Sequence, residues 1–178
     1  MKVFIIVSII IETYIINCLQ IRDNPSELDN TLDRADESLR SLLIFPGTKW
    51  CGEGNIAENE DDLGKYGDTD SCCRTHDMCP ETMAGYETKH NLTNPNFFTR
   101  LPCDCDLKFH DCLKKVNSGV SEKIGIIYFD IIGTQCYKKD YPIIKCSNYT
   151  NFLNSKCLNY ELDESKEKIY QFFDVPDF

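Results

Sequence analysis

Cys72-Cys73-Arg74-Thr75-His76-Asp77-Met78-Cys79 sets a histidine and a carboxylate side by side among three cysteines. A second cysteine-rich stretch, Cys103-Asp104-Cys105-Asp106 through Cys112, lies downstream. If both stretches are helical, the indices of two candidate pairs, 72 with 112 and 79 with 105, add to the same total of 184. A constant total is what two antiparallel helices give when they are cross-linked at two levels. The levels lie seven residues apart on each helix, about two turns at 3.6 residues per turn. His76 follows Cys72 by four residues and precedes Cys79 by three, so it shares their face. It points at the partner helix, at the level of Asp106. A histidine held opposite a carboxylate is a general base with its orienting group.

Around this pair, the chain of 178 residues is long enough for one domain with a modest core. Residues 1–20 begin with Lys2 and run through an apolar stretch from Val3 to Ile16, which reads as a secretory signal. Glu12 interrupts the run, and a membrane span needs about 20 apolar residues. Residues 21–43 mix Asp23, Glu27, Asp29, Asp33, Asp36 and Glu37 with Arg22, Arg34 and Arg40 and hold no cysteine or aromatic side chain. They read as a removed pro-segment, with a solvated helix or loop as the alternative. The expected mature domain is 44–178, and the protein is expected outside the cell.

Of eleven cysteines, Cys18 falls in the signal and ten remain, the even number that a secreted disulfide scaffold requires. A zinc site built from the same Cys and His residues is the alternative that secretion disfavours. Asn91-Leu92-Thr93 and Asn148-Tyr149-Thr150 fit the glycosylation pattern and place Asn91 and Asn148 on the surface. The chain carries −10 overall, and residues 41–178 carry 15 Lys and Arg against 22 Asp and Glu, a net −7. That balance removes electrostatic support for nucleic-acid binding and for strong attraction to anionic membranes.

The first helix is expected from an N-cap at Thr69 or Asp70 to about Met83, with Pro80 bending or shortening it. Residues 84–102 read as loop, 103–117 as the second helix and 120–132 as a third, buried helix. The tail from Cys136 reads as short strands. Ile44, Phe45, Val120 and Ile124 are candidates for either a lipid-facing rim or the core.

Trp50-Cys51-Gly52-Glu53-Gly54 is a short loop with alternating glycines, where successive carbonyls can converge on one point. Calcium accepts such carbonyl oxygens and needs a carboxylate to offset its charge. Cys73 and Asp77 share a helix face, so a Cys51–Cys73 bridge would tie the loop beside Asp77. His76 and Asp77, being adjacent, point about 100° apart.

The run Ile44-Phe45-Pro46-Gly47-Thr48-Lys49-Trp50-Cys51-Gly52-Glu53-Gly54-Asn55, the run Cys72 to Pro80, and Thr99-Arg100-Leu101-Pro102-Cys103-Asp104-Cys105-Asp106 resemble the bee-venom-type (group III) secreted phospholipases A2. The likeness continues through Tyr128-Phe129 and Cys136-Tyr137 to Tyr170-Gln171-Phe172-Phe173-Asp174 and covers 44–178. It implies a mainly α, disulfide-rich phospholipase A2 fold: two antiparallel cross-linked helices, a calcium-binding loop and a small β portion. It also implies calcium-dependent hydrolysis of the sn-2 ester of glycerophospholipids to lysophospholipid and fatty acid. His76 is then the base that activates water, Asp106 orients it, and Tyr128 supports both. The carbonyls of Trp50, Gly52 and Gly54 and the Asp77 carboxylate hold Ca2+, and the Gly52 N–H helps to stabilise the oxyanion. The implied disulfides are Cys51–Cys73, Cys72–Cys112, Cys79–Cys105, Cys103–Cys136 and Cys146–Cys157. The implied partner is a phospholipid bilayer surface, met peripherally by a monomer with no transmembrane segment.

The chain departs from the family in its acidic balance and in Lys123, which stands where the family has an aromatic residue near the lipid-facing surface. Two other classes compete: a toxin or receptor ligand on the same scaffold that does not depend on catalysis, and a secreted disulfide module with no enzymatic role.

Overall fold

The computed structural model describes residues 43–150 and 156–178. The expected signal and nearly all of the expected pro-segment lie outside the described residues. Residues Ile44–Phe178 form one unit, and its centre is a pair of antiparallel helices. Helix α1 spans Gly67–Asp77 and α2 spans Cys103–Val116. Cys72–Cys112 and Cys79–Cys105 bridge the pair at two levels, with Cα separations of 5.8 and 6.2 Å. Cys51–Cys73 ties the preceding loop to α1, Cys103–Cys136 ties the start of α2 to a strand, and Cys146–Cys157 closes a hairpin. Each such cross-link is worth about 2–4 kcal/mol, which suits a chain whose core is small.

Helix α1 starts and stops earlier than its sequence suggests. Tyr66 occupies the N-cap position without a side-chain cap bond, and Thr69 and Asp70 are buried inside the first turn. Asp70 does not cap the helix, because its carboxylate is used elsewhere, on the main chain of the loop before it. The helix ends at Asp77 with Met78 as C-cap, two residues before Pro80. Proline there cannot donate to an α-helical turn and disfavours helical backbone in the residue before it. Helix α2 ends at Asn117, whose φ of 48° supplies a left-handed C-cap.

Helix α3, Gly119–Gly125, opens with a Ser118–Ser121 capping box and runs directly into a π-helix, Ile126–Ile132, closed by Gly133 in the left-handed region. The stretch was expected to form one buried helix. Ser121, Ile124, Gly125, Phe129 and Asp130 in it are buried, whereas Ile126, Ile127, Ile131 and Ile132 are exposed.

Residues 84–102 are more than loop. Thr88–Lys89 (β1) pairs with Leu92–Thr93 (β2), with His90 and Asn91 both at positive φ between them. Two consecutive left-handed residues match the twist of the flanking strands. Strand β3, Gln135–Asp140, pairs with β6, Ile169–Asp174, and β4, Ile143–Tyr149, pairs with β5, Cys157–Leu162. The described residues thus hold three antiparallel two-stranded sheets, a larger β share than a mainly α fold with a small β portion. The core gathers Trp50, Phe109, Leu113, Ile124, Phe129, Phe173 and Val175 around the half-cystines Cys51, Cys72, Cys73, Cys103 and Cys136. No described helix is long and apolar enough to cross a membrane.

Candidate active site

The seven-residue spacing of the two disulfide rungs leaves one helical level between them, and His76 occupies it. Its Nε2 lies 2.8 Å from Oδ1 of Asp106 on α2. The same oxygen accepts the Tyr128 hydroxyl at 2.8 Å. That hydroxyl is also 3.3 Å from His76 Nε2. The imidazole stacks on Phe109, with centroids 4.3 Å apart and planes 22° from parallel, and Tyr128 meets it edge-on. Asp106 is fully buried and His76 is 8% exposed. With Nε2–H donating to Asp106, the proton-free nitrogen is Nδ1, which makes no hydrogen bond to the described residues. Burial and the Asp106 carboxylate hold the Tyr128 phenol well above the usual tyrosine range, so it stays a neutral donor. The second Asp106 oxygen, Oδ2, is buried without a hydrogen-bond partner among the described residues.

Asp70 builds the neighbouring loop. Its carboxylate accepts the main-chain N–H groups of Lys49 at 2.9 Å, Trp50 at 2.8 Å and Gly64 at 2.7 Å. Trp50 is buried, and its indole N–H donates to the carbonyl of Asp62. Phe45 N–H bonds the Cys51 carbonyl, Ile44 pairs with Gly52 as an isolated bridge, and Ile56 N–H returns to the Lys49 carbonyl. Gly54 adopts φ of +72°, which a β-carbon would strain. Ile44 and Ile124 are buried, and Phe45 and Val120 pack half-buried against the core, so these four do not form an exposed rim.

No three or more His, Cys, Asp or Glu side chains gather into a metal-binding group among the described residues. All ten cysteines from Cys51 onward are in disulfides, which removes the zinc alternative. A cation here would rest on main-chain oxygens plus one carboxylate. The carbonyls of Trp50, Gly52 and Gly54 accept no hydrogen bond from the described residues. The Asp77 carboxyl is pushed up to about 7, first by desolvation from the protein packed around it and then by the like charge of Asp70, although the residue retains an open solvent-facing side. One carboxylate on α1 and uncommitted carbonyl oxygens on the loop that Cys51–Cys73 ties to that helix are the donor types that a hard oxygen-seeking cation takes.

The structure therefore brings His76, Asp106 and Tyr128 into one hydrogen-bonded group. Asp77, next to His76 on α1, is bound through Cys51–Cys73 to the loop of Trp50, Gly52 and Gly54. Asn91 is exposed at the tip of the β1–β2 hairpin, and Asn148 is exposed on β4. Two further site residues lie outside the sequence reading. Asp70 shares a face with Cys73 and Asp77 at helical spacing, which places it toward the loop but does not mark it as the loop's clamp. Phe109 follows Asp106 by three residues, the spacing that places it on the His76 side.

Comparison with known proteins carries the same stretch. Residues 44–141 match the family model described as Phospholipase A2. A phospholipase A2 of Apis dorsata is 50% identical over 134 residues, covering 75% of this chain and 98% of that protein. A phospholipase A2 of Apis mellifera is 48% identical over 141 residues, covering 79% of this chain and 83% of the relative. Phospholipase A2 hemilipin of Hemiscorpius lepturus is 42% identical over 135 residues, covering 71% of this chain and 55% of the scorpion protein. On the extent and identity of these matches, the chain belongs to the phospholipase A2 family, in its bee-venom-type branch.

Proposed function

We propose that the protein is a secreted, calcium-dependent phospholipase A2 that releases the sn-2 fatty acid of glycerophospholipids. The observation that carries the reading is the 2.8 Å bond between His76 Nε2 and Asp106 Oδ1. In this reading His76 Nδ1 removes a proton from water as the water oxygen attacks the sn-2 carbonyl carbon. Asp106 holds the ring and stabilises the imidazolium that forms, and Tyr128 holds Asp106. As the tetrahedral intermediate collapses, the ester C–O bond breaks and Nδ1 returns the proton to the departing lysophospholipid oxygen. The Gly52 N–H donates to the oxyanion.

Asp77 and the carbonyls of Trp50, Gly52 and Gly54 are the groups that would hold Ca2+. Bound there, the ion supplies Lewis-acid stabilisation of the developing negative charge. The enzyme works as a monomer adsorbed to a bilayer, after loss of residues 1–20 and 21–43, with glycans at Asn91 and Asn148.

A binder or toxin that does not depend on catalysis has no need of a buried histidine, carboxylate and phenol in one network. The test is release of label from vesicles of phosphatidylcholine labelled at sn-1 or at sn-2. Calcium-dependent release from sn-2 alone supports the reading; release from sn-1, or none, contradicts it.

A further inference from the structure

Tyr128 stands on a helix whose end needs outside support. The last carbonyls of any helix lack partners within it, and π-turns are wide and rarely persist without help from their surroundings. In the π-helix Ile126–Ile132, Phe129 is fully buried, so its carbonyl cannot rely on water. The Nζ of Lys156 donates to that carbonyl. Lys156 is itself only 4% exposed, and its ammonium sits 3.0 Å from Asp177 Oδ1. A cation at the C-terminal end of a helix also opposes the negative end of its dipole.

The residues around Asp177 close over the same helix. The Asp177 carbonyl lies 3.2 Å from His110 Nε2, and the Phe178 N–H donates to Asp130 Oδ1 at 2.8 Å. The Phe178 ring stacks on Phe129 at 6.0 Å. The residue immediately before Phe129 is Tyr128, whose hydroxyl holds Asp106.

We propose that Lys156 is a positioning residue for the hydrolytic reaction: with Asp177 as its counter-ion it caps the Phe129 carbonyl and so fixes the Tyr128 hydroxyl against Asp106 and His76. The inference rests on the reading of Tyr128 given above. An ion pair between a buried lysine and the half-buried Asp177 is weak evidence for stability, since apolar replacements of both partners of such pairs are often neutral or better. No apolar side chain, however, can satisfy the Phe129 carbonyl. Lys156 is therefore explained better by the placement of the helix than by the strength of the fold.

A double-mutant cycle tests this, using the full mature chain and a dispersed short-chain phosphatidylcholine, with kcat and KM measured separately. Lys156→Met should lower kcat about tenfold with KM little changed, the pattern of a lost transition-state interaction. Lys156→Arg, which can still donate to both the carbonyl and the carboxylate, should recover most of that loss. In a Tyr128→Phe background, Lys156→Met should cost less than about twofold more, because both act on one interaction. If Lys156→Met fails to fold, the pair Lys156→Met with Asp177→Leu leaves no uncompensated charge and serves in its place. Wild-type kcat in the folded variant, or full additivity with Tyr128→Phe, overturns the inference. Undiminished kcat in Tyr128→Phe alone overturns the reading of Tyr128, and the inference with it.

Discussion

The carboxylate of Asp70 accepts the Trp50 main-chain N–H at 2.8 Å while bonding the N–H groups of Lys49 and Gly64. One buried side chain at the start of α1 thus sets the path of the loop that carries three of the proposed calcium ligands. Asp70→Asn keeps the volume but replaces one acceptor oxygen with an NH2 group that faces N–H donors. The expected cost is about 2–3 kcal/mol of stability, the range for lost hydrogen bonds to a buried charged group. Urea unfolding measures it, and calcium titration of the same variant should show weaker binding.

Asp77 gives a pH dependence with a definite sign. In calcium-free protein its carboxyl is pushed up to about 7 by desolvation and then by Asp70, against about 3.9 in an unfolded chain. Between these values the folded state holds a proton that the unfolded state has released. Stability from this group therefore falls as pH rises through that window, and the cost is fully present above it. Asp77→Asn should raise the melting temperature in chelator at pH 8 and leave it nearly unchanged at pH 4. It should also abolish stabilisation by millimolar calcium. Thermal unfolding in chelator across pH 4–8 checks the first part, and the same scans with calcium check the second.

Adsorption to lipid should depend on apolar contact more than on charge. Ile126, Ile127, Ile131 and Ile132 are 38, 41, 65 and 48% exposed on the helix that carries Tyr128. Two of the lysines available to anionic lipid are already engaged: Lys138 is paired with Asp140, and Lys114 lies over the Phe178 ring. Vesicle binding should show modest dependence on anionic lipid and on salt. Ile131→Ser with Ile132→Ser should weaken it by about tenfold or more, given about 25 cal/mol per Å² of apolar area withdrawn from water. A large anionic preference that high salt abolishes would overturn this account of adsorption.

The two-rung helix pair is legible in the spacing of Cys72, Cys79, Cys105 and Cys112, because a ladder across antiparallel helices leaves an arithmetic trace. The place of His76 between the rungs follows from the same spacing. Asp70 is not legible as a loop clamp, since an acidic residue at the start of a helix reads as a cap. Ile126–Ile132 misleads for a different reason. Periodicity separates apolar from polar faces but does not tell an isoleucine that packs in the core from one left on the surface. The β1–β2 hairpin escapes notice because its turn is His90-Asn91, without the glycine that usually marks two left-handed residues in succession.

In the proposed reaction His76, oriented by Asp106, is the base of an ester hydrolysis. The most direct test of that role is release of sn-2 fatty acid by His76→Gln in saturating calcium, with disulfide content and melting temperature measured on the same preparation. The variant should keep a native fold, because the rungs on either side remain, and should turn over about 10²–10⁴-fold more slowly, the usual effect of losing a general base. Near wild-type turnover by a correctly folded His76→Gln protein would contradict that role.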